Sequence, residues 1–599
     1  MNTEWLNRHL YGSKLTAYAA MRRTTYVLTL VAVGLLLYAH GVVERPETLR
    51  LLFYAIDAIL AVFVLIYFLR ILYAFERIKF LRRTWFEGIL MALILINHVG
   101  TYLLGVPVVY NVFESIGVAL SVEFYRVAVS LYMLVLLVIE LLETKIHQRS
   151  LSIKPSFAFI LSFIILILSG AGLFMLPKMT HAPEGMRFLD ALFMSTSASC
   201  VTGLAVVDAS TYFTFGGQVV LLLLIQMGGL GILTFATFFV SLMRSGVGIR
   251  QHVAMYELLE GESLYSTRGL LQKLVYLTFT IEAIGAIAVF MTWGRDAQFA
   301  DLGAKIFYSV FHSVSAFCNA GFSLYPEGLY TLPVRHSYLL HLVIAFLIIF
   351  GGIGFPTILD VLSPAAMRER MNSPWKNWKL LSRVTIYTSA ALIAIGTIGF
   401  FFLEYNRTLT GLNFSESLIT SFFQSVTTRT AGFNTVDMSG LAVPTMLLII
   451  VLMFIGASPG STGGGIKTTT FVVILLSVIT TIRGKKHLEI GRRTVPQSVA
   501  YKAFSVFAFA AIINLTCIFI LSITDPQYDI IRLAFEQVSA FATVGLSTGI
   551  TAGISDVGKV ILILSMYIGR VGTITLALAL STRATTTDYK YPSTHLVVG

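Results

Sequence analysis

Long apolar runs separated by short polar segments dominate the pattern of this 599-residue chain. The first four runs fall at about 25–42, 51–73, 85–106 and 121–142, each near the ~20 residues with which a helix crosses a bilayer. From residue 155 the pattern changes to four units, in which two apolar runs flank a shorter Ser/Thr-rich segment of ~10–14 residues, too few to span. The pattern predicts an all-α membrane protein, with four N-terminal transmembrane helices followed by four helix–short helix–helix repeats.

The boundaries of the apolar runs divide the chain into five parts. Residues 1–150 form the N-terminal four-helix extension, and the repeats occupy 151–260, 261–372, 373–492 and 493–599, the last with a polar tail. The second long run of each repeat is predicted at 217–243, 337–360, 443–480 and 556–581, and only the third of these is strongly interrupted.

A glycine-containing turn follows each short segment, so one motif occurs four times. Glycine has no Cβ and adopts backbone dihedrals closed to other residues, which lets carbonyl oxygens face a common axis. Such oxygens replace the water shell of an ion, so the repeats are predicted to surround a central pore, with the short helices as pore helices. Close helix packing also uses glycine, but it explains one such residue better than four equivalent ones. The predicted pore-lining residues are Cys200, Val201, Thr202, Gly203, Cys318, Asn319, Ala320, Gly321, Arg429, Thr430, Ala431, Gly432, Ala542, Thr543, Val544 and Gly545.

Composition and charge exclude a soluble protein. Hydrophobic residues make up 56% and charged residues 12% of the chain, whereas soluble domains carry about 25% charged residues. The net charge of +12 could suit nucleic acid, but the basic residues lie in short loops between apolar runs, which is typical of cytoplasmic loops. This distribution predicts twelve crossings with both termini in the cytoplasm. The three cysteines form no metal-binding or disulfide motif.

The N-terminal extension lacks the pattern of a voltage sensor. A voltage-sensing helix carries several regularly spaced arginines, and the fourth apolar run has only Arg126. We therefore favour a packing or assembly role for residues 1–150.

The interruption in the third repeat is rich in residues that break helices. Ile455–Lys467 contains five glycines and one proline, a density that an α-helix does not tolerate. A phosphate-binding loop is disfavoured, because the segment lacks the full motif in a strand–loop–helix context and lies within a membrane run.

Charged residues inside the apolar segments need partners. A central arginine costs ~2.5–3.5 kcal/mol on insertion scales, so Arg570 is expected either to face a water-filled pore or to pair with an acid such as Glu282. The C-terminal end of each short helix carries about half a negative charge, which suits a cation. Asp190, Glu416 and Glu536 would add to this field, but helix capping or bonds to nearby backbone are the favoured explanation.

The four turns CVTGL, CNAGF, RTAGF and ATVGL, together with the glycine-rich interruption, resemble the Trk/Ktr/HKT superfamily of potassium transporters. The resemblance covers residues 155–599 and is greatest to the Ktr-type membrane subunit, while the first 150 residues depart from that pattern. It implies K⁺ uptake through a selectivity filter formed by the turns. In this family glycine at all four filter positions goes with potassium and serine at the first goes with sodium, so Gly203 supports potassium.

The same resemblance implies a gate and partners. The interruption would be an intramembrane gating loop beneath the filter, and Arg570 would face the pore below the filter and contact that loop. A homodimer in the plasma (inner) membrane is implied, as is a cytosolic RCK-type regulatory subunit under ATP/ADP or NAD control, so that nucleotide acts only through that separate subunit. The implied gating residues are Gly456, Ser461, Thr462, Gly463, Gly464, Gly465, Lys467 and Arg570.

Three other functions were weighed. A sodium-selective or Na⁺-coupled transporter of the same family stays open. A secondary solute transporter would show inverted halves with broken helices in matching positions, whereas these repeats are parallel and fourfold. An intramembrane serine protease using Ser458 or Ser461 would need a paired base, and neither His312 nor His341 makes a recognisable pair with them, so the chain is not predicted to be an enzyme.

Overall fold

The computed structural model describes residues 14–41, 46–74, 77–84, parts of 88–100, 155–182, 184–242, 270–294, 296–373, 375, 377–491 and 493–572. Within these residues the chain is mostly helical, as the apolar pattern predicted. It divides into two compact units, Met1–Ser152 with Leu176–Lys178 and Ile153–Met175 with Met179–Gly599.

The N-terminal unit is built on a helical hairpin. Helix α1 (Lys14–Gly41) packs against α2 (Pro46–Tyr73), and the short basic helix α3 (Arg77–Arg83) follows. The hydroxyl of Tyr18, near the start of α1, donates to the carbonyl oxygen of Arg70, near the end of α2, so the two helices are antiparallel. The third predicted run is described only in part, and the fourth, at 121–142, lies outside the described residues.

The second unit contains the remaining described elements. Between the third and fourth predicted repeats it holds a small antiparallel hairpin, which the apolar pattern did not indicate. In chain order the helices and strands are α4 (Pro155–Phe174), α5 (Phe188–Ser199), α6 (Ala209–Tyr212), α7 (Phe215–Leu242), α8 (Leu270–Thr292), α9 (Leu302–Phe317), α10 (Leu332–Arg335), α11 (Tyr338–Ile353), α12 (Phe355–Leu362), α13 (Pro364–Asn372), α14 (Leu380–Glu404), α15 (Phe414–Thr427), α16 (Val443–Phe454), α17 (Thr468–Ile482), β1 (Leu488–Ile490), β2 (Arg493–Val495), α18 (Gln497–Thr524), α19 (Ile530–Phe541) and α20 (Asp556–Val571), with 3₁₀ turns at Pro177–Met179, Gly328–Tyr330, Met438–Gly440 and Thr551–Gly553.

The core of this unit lies around its four short helices, α5, α9, α15 and α19. Each of them carries a phenylalanine at the same distance in sequence before the glycine of the following turn, except that the distance is one residue shorter in the third. All four rings are buried, because each short helix packs this face against neighbouring helices. These residues are Phe193, Phe311, Phe423 and Phe535.

Small residues bring the first three short helices close to the long helix before them. In each case a glycine of the long helix lies against a serine of the short helix, and the serine hydroxyl donates to a main-chain carbonyl three residues before that glycine. Small side chains at such contacts let two helices approach closely. The contacts are Gly170–Ser195–Ile167, Gly285–Ser313–Glu282 and Gly396–Ser425–Ile393.

The apolar run predicted at 337–360 is not one continuous helix. It is divided at Gly354 into α11 and α12, which meet at 103°. Gly354 has φ 92° and ψ 144°, and Pro356 lies at the start of α12, so glycine and proline together turn the chain. The prediction that only the third repeat has a strongly broken helix is therefore wrong.

Membrane-length helices are fewer among the described residues than the twelve predicted crossings. Four described helices are long and apolar enough to span, or five if the bent pair α11–α12 counts as one span. The last described helix ends at Val571, earlier than the predicted run 556–581, and Gly572 after it has φ 87°. The count of twelve and the orientation of the termini stay predictions.

Candidate functional site

The four glycine turns, which lie far apart in the sequence, meet in one closed ring. Each turn contributes one glycine, hereafter a ring glycine. A Cβ on a ring glycine would overlap the carbonyl oxygen of the residue just before the ring glycine of the next turn, and the fourth turn contacts the first in the same way. A side chain at any of these positions would displace that oxygen, so glycine is required by contact as well as by its positive φ. The glycine–carbonyl pairs of this glycine ring, with the Cβ-to-oxygen distances, are Gly203–Ala320 at 2.5 Å, Gly321–Ala431 at 2.6 Å, Gly432–Val544 at 2.5 Å and Gly545–Thr202.

The backbone next to the ring adopts a rare conformation in every turn. Two residues before each ring glycine lies a non-glycine residue in the left-handed region, which is disfavoured for a side chain. Such strain persists only where the surrounding structure imposes it, and it is concentrated at functional sites. Among the described residues these are the only non-glycine residues with positive φ: Val201 at 57°, Asn319 at 60°, Thr430 at 66° and Thr543 at 51°.

All four short helices end at the ring. Their C-terminal ends carry partial negative charge, which favours a cation and disfavours an anion at the centre. Since each helix ends within a few residues of its ring glycine, the four partial charges converge on one place. The C-cap residues are Cys200, Cys318, Thr428 and Ala542.

The interrupted segment of the third repeat, residues 455–467 between α16 and α17, packs directly against these turns. The main-chain N–H of Gly464 donates to Oγ1 of Thr543 at 3.0 Å, and a Cβ on Gly463 would overlap the hydroxyl of Thr430. The hydroxyl of Thr462 donates to the carbonyl oxygen of Phe317 at 3.3 Å. This segment, hereafter the glycine-rich loop, therefore contacts three of the four turns or the helices that lead to them.

Three basic side chains hold the carbonyl oxygens of the glycine-rich loop. Arg429 contacts the carbonyl of Gly456 at 3.5 Å, Lys467 donates to that of Gly463 at 2.9 Å, and Arg570 donates to that of Thr462. The second amino group of Arg570 donates to the carbonyl of Gly228, so the partners of this arginine are main-chain oxygens of the loop and of α7.

The glycine-rich loop also packs against the bend at Gly354. Ser458 N–H donates to the carbonyl of Gly352 at 3.1 Å, and Phe355 N–H donates to the carbonyl of Gly460 at 3.0 Å. A Cβ on Gly354 would overlap the carbonyl oxygen of Pro459. The two broken helices thus satisfy each other's freed backbone groups, which an apolar surrounding requires.

The acidic residues of the short helices have structural partners. Asp190 pairs with Lys559 at 2.6 Å, and Glu416 accepts from the N–H of Asn413 in a capping box. Glu536 is fully buried and accepts from Ser547, Thr551 and the N–H of Thr548. The contacts of Glu416 and Glu536 favour the capping and backbone-bonding explanation, whereas Asp190 is held by an ion pair with the side chain of Lys559.

Glu282, the alternative partner for Arg570, has other contacts. Its carboxylate accepts from the side-chain amide of Gln226 at 3.1 Å and lies 3.7 Å from Sγ of Cys318. Glu282 is therefore a buried polar group that contacts the second turn. The sequence alone did not indicate this contact.

Sequence analysis did not recognise that buried polar side chains share one position on the short helices, although it named His312 and Glu536 separately. At one shared position, next to the buried phenylalanine, three of the four helices carry a side chain that reaches a hydroxyl in the loop after the ring glycine. In the first helix Met194 occupies this position. The contacts are His312–Ser323 at 3.0 Å, Gln424–Thr435 at 3.0 Å and Glu536–Ser547 at 2.5 Å.

Several polar atoms beside the ring and loop are buried without a protein partner among the described residues. They include the hydroxyls of Thr202 and Ser461 and the Nε atoms of Arg429 and Arg570. Buried polar atoms are normally satisfied, so these atoms are candidates for hydrogen bonds with water. No group of three or more His, Cys, Asp or Glu able to hold a resident metal occurs in the described part of the chain.

Comparison with known proteins gives a consistent result. The model of the TrkH cation transport protein family matches residues 127–587. The chain is 38% identical over 441 residues to the Ktr system potassium uptake protein B of Bacillus subtilis, covering 73% of this chain and 95% of the relative. It is 35% identical to the protein of the same name from Vibrio alginolyticus, covering 76% of this chain and 100% of the relative.

Two further similarities extend the comparison. The chain is 34% identical to the potassium/sodium uptake protein NtpJ of Enterococcus hirae, over 73% of this chain and 95% of the relative. Its fold matches the crystal structure of the potassium transporter TrkH from Vibrio parahaemolyticus with a TM-score of 0.57 at 20% identity, covering 75% of this chain and 90% of that one. The resemblance seen in the four turns is therefore confirmed, and the chain belongs to the TrkH family of cation transport proteins, which are transporters and not enzymes.

Proposed function

We propose that this chain is the membrane subunit of a potassium uptake system, and that K⁺ passes down its electrochemical gradient through the glycine ring. The observation that carries this proposal is the closure of the ring, in which Gly545 of the last turn meets Thr202 of the first. Four helix–pore helix–helix repeats around a single pore account for that closure.

The ring has the chemistry of a cation filter. It contains four main-chain carbonyl oxygens, one from each turn, and such oxygens replace the hydration shell of a K⁺ ion. The partial negative ends of four short helices add a field of the correct sign. A membrane potential supplies about 2.3 kcal/mol per charge per 100 mV, which drives uptake without ATP hydrolysis by this chain.

The glycine-rich loop is proposed as the gate beneath the filter. It lies against Thr430 and Thr543 of two turns, and three basic side chains hold its carbonyl oxygens. Arg570 would have two roles there, because it fixes the loop at Thr462 and places a positive charge below the filter.

A second candidate is sodium transport or Na⁺-coupled K⁺ transport. It is favoured by the similarity to a relative whose name includes both potassium and sodium uptake. Glycine at position 203, where family resemblance associates serine with sodium, favours potassium for this chain.

The proposed setting follows that of the family. The chain would lie in the plasma (inner) membrane with both termini cytoplasmic, form a homodimer, and bind a cytosolic RCK-type subunit that carries the nucleotide. The four N-terminal helices, most of which lie outside the residues matched by the family model, would serve packing or assembly.

Uptake of K⁺, Rb⁺ and Na⁺ by cells that lack their own potassium systems tests the function. The native chain should accumulate K⁺ and Rb⁺ in preference to Na⁺, and Gly203→Ser should lower that preference. Gly411→Ser is a matched control, since Gly411 also has positive φ (86°) but no atom lies within 4 Å of its Cβ position. Unchanged selectivity in folded Gly203→Ser would refute the filter, and preferential Na⁺ uptake by the native chain would favour the second candidate.

A further inference from the structure

A hydroxyl residue occupies one shared position on each of the four short helices, behind the glycine ring. It lies six residues before the ring glycine in the first, second and fourth repeats and five residues before it in the third. All four side chains are fully or almost fully buried, and each bonds to the backbone at or just after the ring glycine. These residues, hereafter the hydroxyl set, are Ser197, Ser315, Thr427 and Ser539.

In the first and fourth repeats the hydroxyl accepts from the ring glycine itself. Gly203 N–H donates to Oγ of Ser197 at 3.0 Å, and Gly545 N–H donates to Oγ of Ser539 at 3.1 Å. A trans peptide is planar, and its N–H and C=O point in opposite directions. Holding the glycine N–H towards the short helix therefore turns the preceding carbonyl away from that helix.

Those two carbonyls are members of the ring. The oxygen of Thr202 takes the Cβ position of Gly545, and the oxygen of Val544 lies 2.5 Å from the Cβ position of Gly432. Rotation of either peptide by half a turn would replace a carbonyl oxygen in the ring with an N–H group, which repels a cation. Each serine thus opposes a specific, harmful rotation.

In the second and third repeats the hydroxyl acts as a donor and on a different atom. Oγ of Ser315 donates to the carbonyl of Phe322 at 2.8 Å, and Oγ1 of Thr427 donates to that of Phe433 at 2.7 Å. These bonds fix the residue that follows the ring glycine and do not directly set the carbonyl that precedes it.

We propose that Ser197 and Ser539 are positioning residues that lock the Thr202–Gly203 and Val544–Gly545 peptides with their carbonyl oxygens in the ring, and that this lock contributes to the preference for K⁺ over Na⁺. Ser315 and Thr427 hold the residue that follows the ring glycine in their turns, and they affect selectivity less. This inference rests on the proposed role of the glycine ring as the ion filter.

The same short helix offers a matched control for the first repeat. Ser195 is also a fully buried serine, two residues from Ser197, but its hydroxyl donates to the carbonyl of Ile167 on α4 and not to the ring. Ser197→Ala and Ser195→Ala remove the same atom from the same helix, so a general loss of packing would affect both alike. Thr427 at the shared position shows that threonine fits there, which makes Ser197→Thr a variant that retains the hydroxyl.

The test is the ratio of K⁺ to Na⁺ uptake in cells without their own potassium systems, together with the amount of folded protein recovered from the membrane. A lost neutral hydrogen bond predicts a fall of about 3- to 10-fold in this ratio for Ser197→Ala and for Ser539→Ala. Ser195→Ala and Ser197→Thr should keep the native ratio, and Ser315→Ala should change it less than Ser197→Ala.

Each outcome decides between the two proposals. If Gly203→Ser alters selectivity but Ser197→Ala and Ser539→Ala do not, or if Ser195→Ala lowers the ratio as much as Ser197→Ala, the positioning role is wrong and the filter stands. If Gly203→Ser leaves selectivity unchanged, the filter itself is wrong. Should an alanine variant fail to fold, Ser197→Cys and Ser539→Cys, which keep the size but offer a weak acceptor, should show the same fall, and a native ratio in both would overturn the inference.

Discussion

Arg570, near the end of the last described helix, donates a hydrogen bond to the main-chain oxygen of Thr462 in the glycine-rich loop. These residues belong to different predicted repeats, and a second bond from the same guanidinium reaches Gly228 in the first repeat. One buried side chain thus joins three of the four predicted repeats.

Replacing Arg570 should free the loop. Bonds from a charged donor are each worth about 1.5–3 kcal/mol, so Arg570→Gln, which loses the charge, is expected to raise basal K⁺ flux by about 10-fold or more. The measurement is ⁸⁶Rb⁺ uptake into vesicles that contain the purified chain. Arg187→Gln serves as control, because Arg187 is exposed and pairs with Asp556 away from the loop. Equal flux in native protein and Arg570→Gln would contradict the gate.

Shortening the glycine-rich loop should also raise basal K⁺ flux. Removal of Gly463 and Gly464 deletes the contacts with Thr430 and Thr543, so basal flux should rise while selectivity, which depends on the ring, should change little. Vesicle flux and a K⁺/Na⁺ competition assay measure the two properties. A folded but inactive protein would argue that the loop lines the path and does not close it.

Glu536 should matter for stability more than Glu416. Leucine at 536 would leave the buried Thr548 N–H without its acceptor, at about 1–3 kcal/mol, and would also remove an acceptor from the hydroxyls of Ser547 and Thr551. Loss of the capping contact in Glu416→Leu should cost only about 1 kcal/mol. Thermal unfolding in detergent, followed by size-exclusion chromatography, compares them. A smaller shift for Glu536→Leu than for Glu416→Leu would disprove the buried contact, and Glu536→Gln, which retains one acceptor, should lie between native protein and Glu536→Leu.

Asp525 predicts a pH-dependent contribution to stability. It lies just after α18 and accepts from the N–H and hydroxyl of Ser555 at 2.7 and 2.8 Å, linking α18 to α20. Burial raises the pKa of this carboxyl, but its hydrogen bonds from Ser555, Thr524 and Gln527 outweigh burial, so that the pKa lies below its ordinary value of 3.8.

A carboxyl with a lowered pKa in the folded state stabilises the protein above its unfolded-state pKa, and this stabilisation is lost as the pH falls through the folded-state pKa. Native protein should therefore unfold at a higher temperature than Asp525→Asn at neutral pH, and the difference should shrink as the pH is lowered below the ordinary value of 3.8. A difference that stays constant over this range would show that the charge of Asp525 is not responsible.

The glycine turns could be located from sequence because the requirement for glycine depends on the residue itself and on a local motif. A missing Cβ and a repeated motif are visible in the residue types at Gly203, Gly321, Gly432 and Gly545, and the structure brings these four together. The family resemblance implied that Arg570 contacts the gating loop, but the individual oxygens that it binds were not predictable, since main-chain oxygens carry no signature in the sequence.

The bend at Gly354 shows a different limit. A glycine and a proline within a long apolar run are compatible with a kinked but continuous helix, and the run at 337–360 offered no charge to indicate otherwise. Gly354 and Pro356 permit the turn of 103°, and the glycine-rich loop holds it, because Pro459 occupies the space beside Gly354 and the carbonyl of Gly460 accepts from Phe355 N–H. Such a contact joins residues about a hundred positions apart and becomes visible only in three dimensions.

Closure of the ring between Gly545 and Thr202 also bears on how the chain is made. The last of the four turns is synthesised only after about nine-tenths of the chain, since Gly545 stands at position 545 of its 599 residues, so a shorter nascent chain cannot close the ring. If the ring is the proposed filter, a nascent chain offers ions no complete selective path until its synthesis is nearly finished.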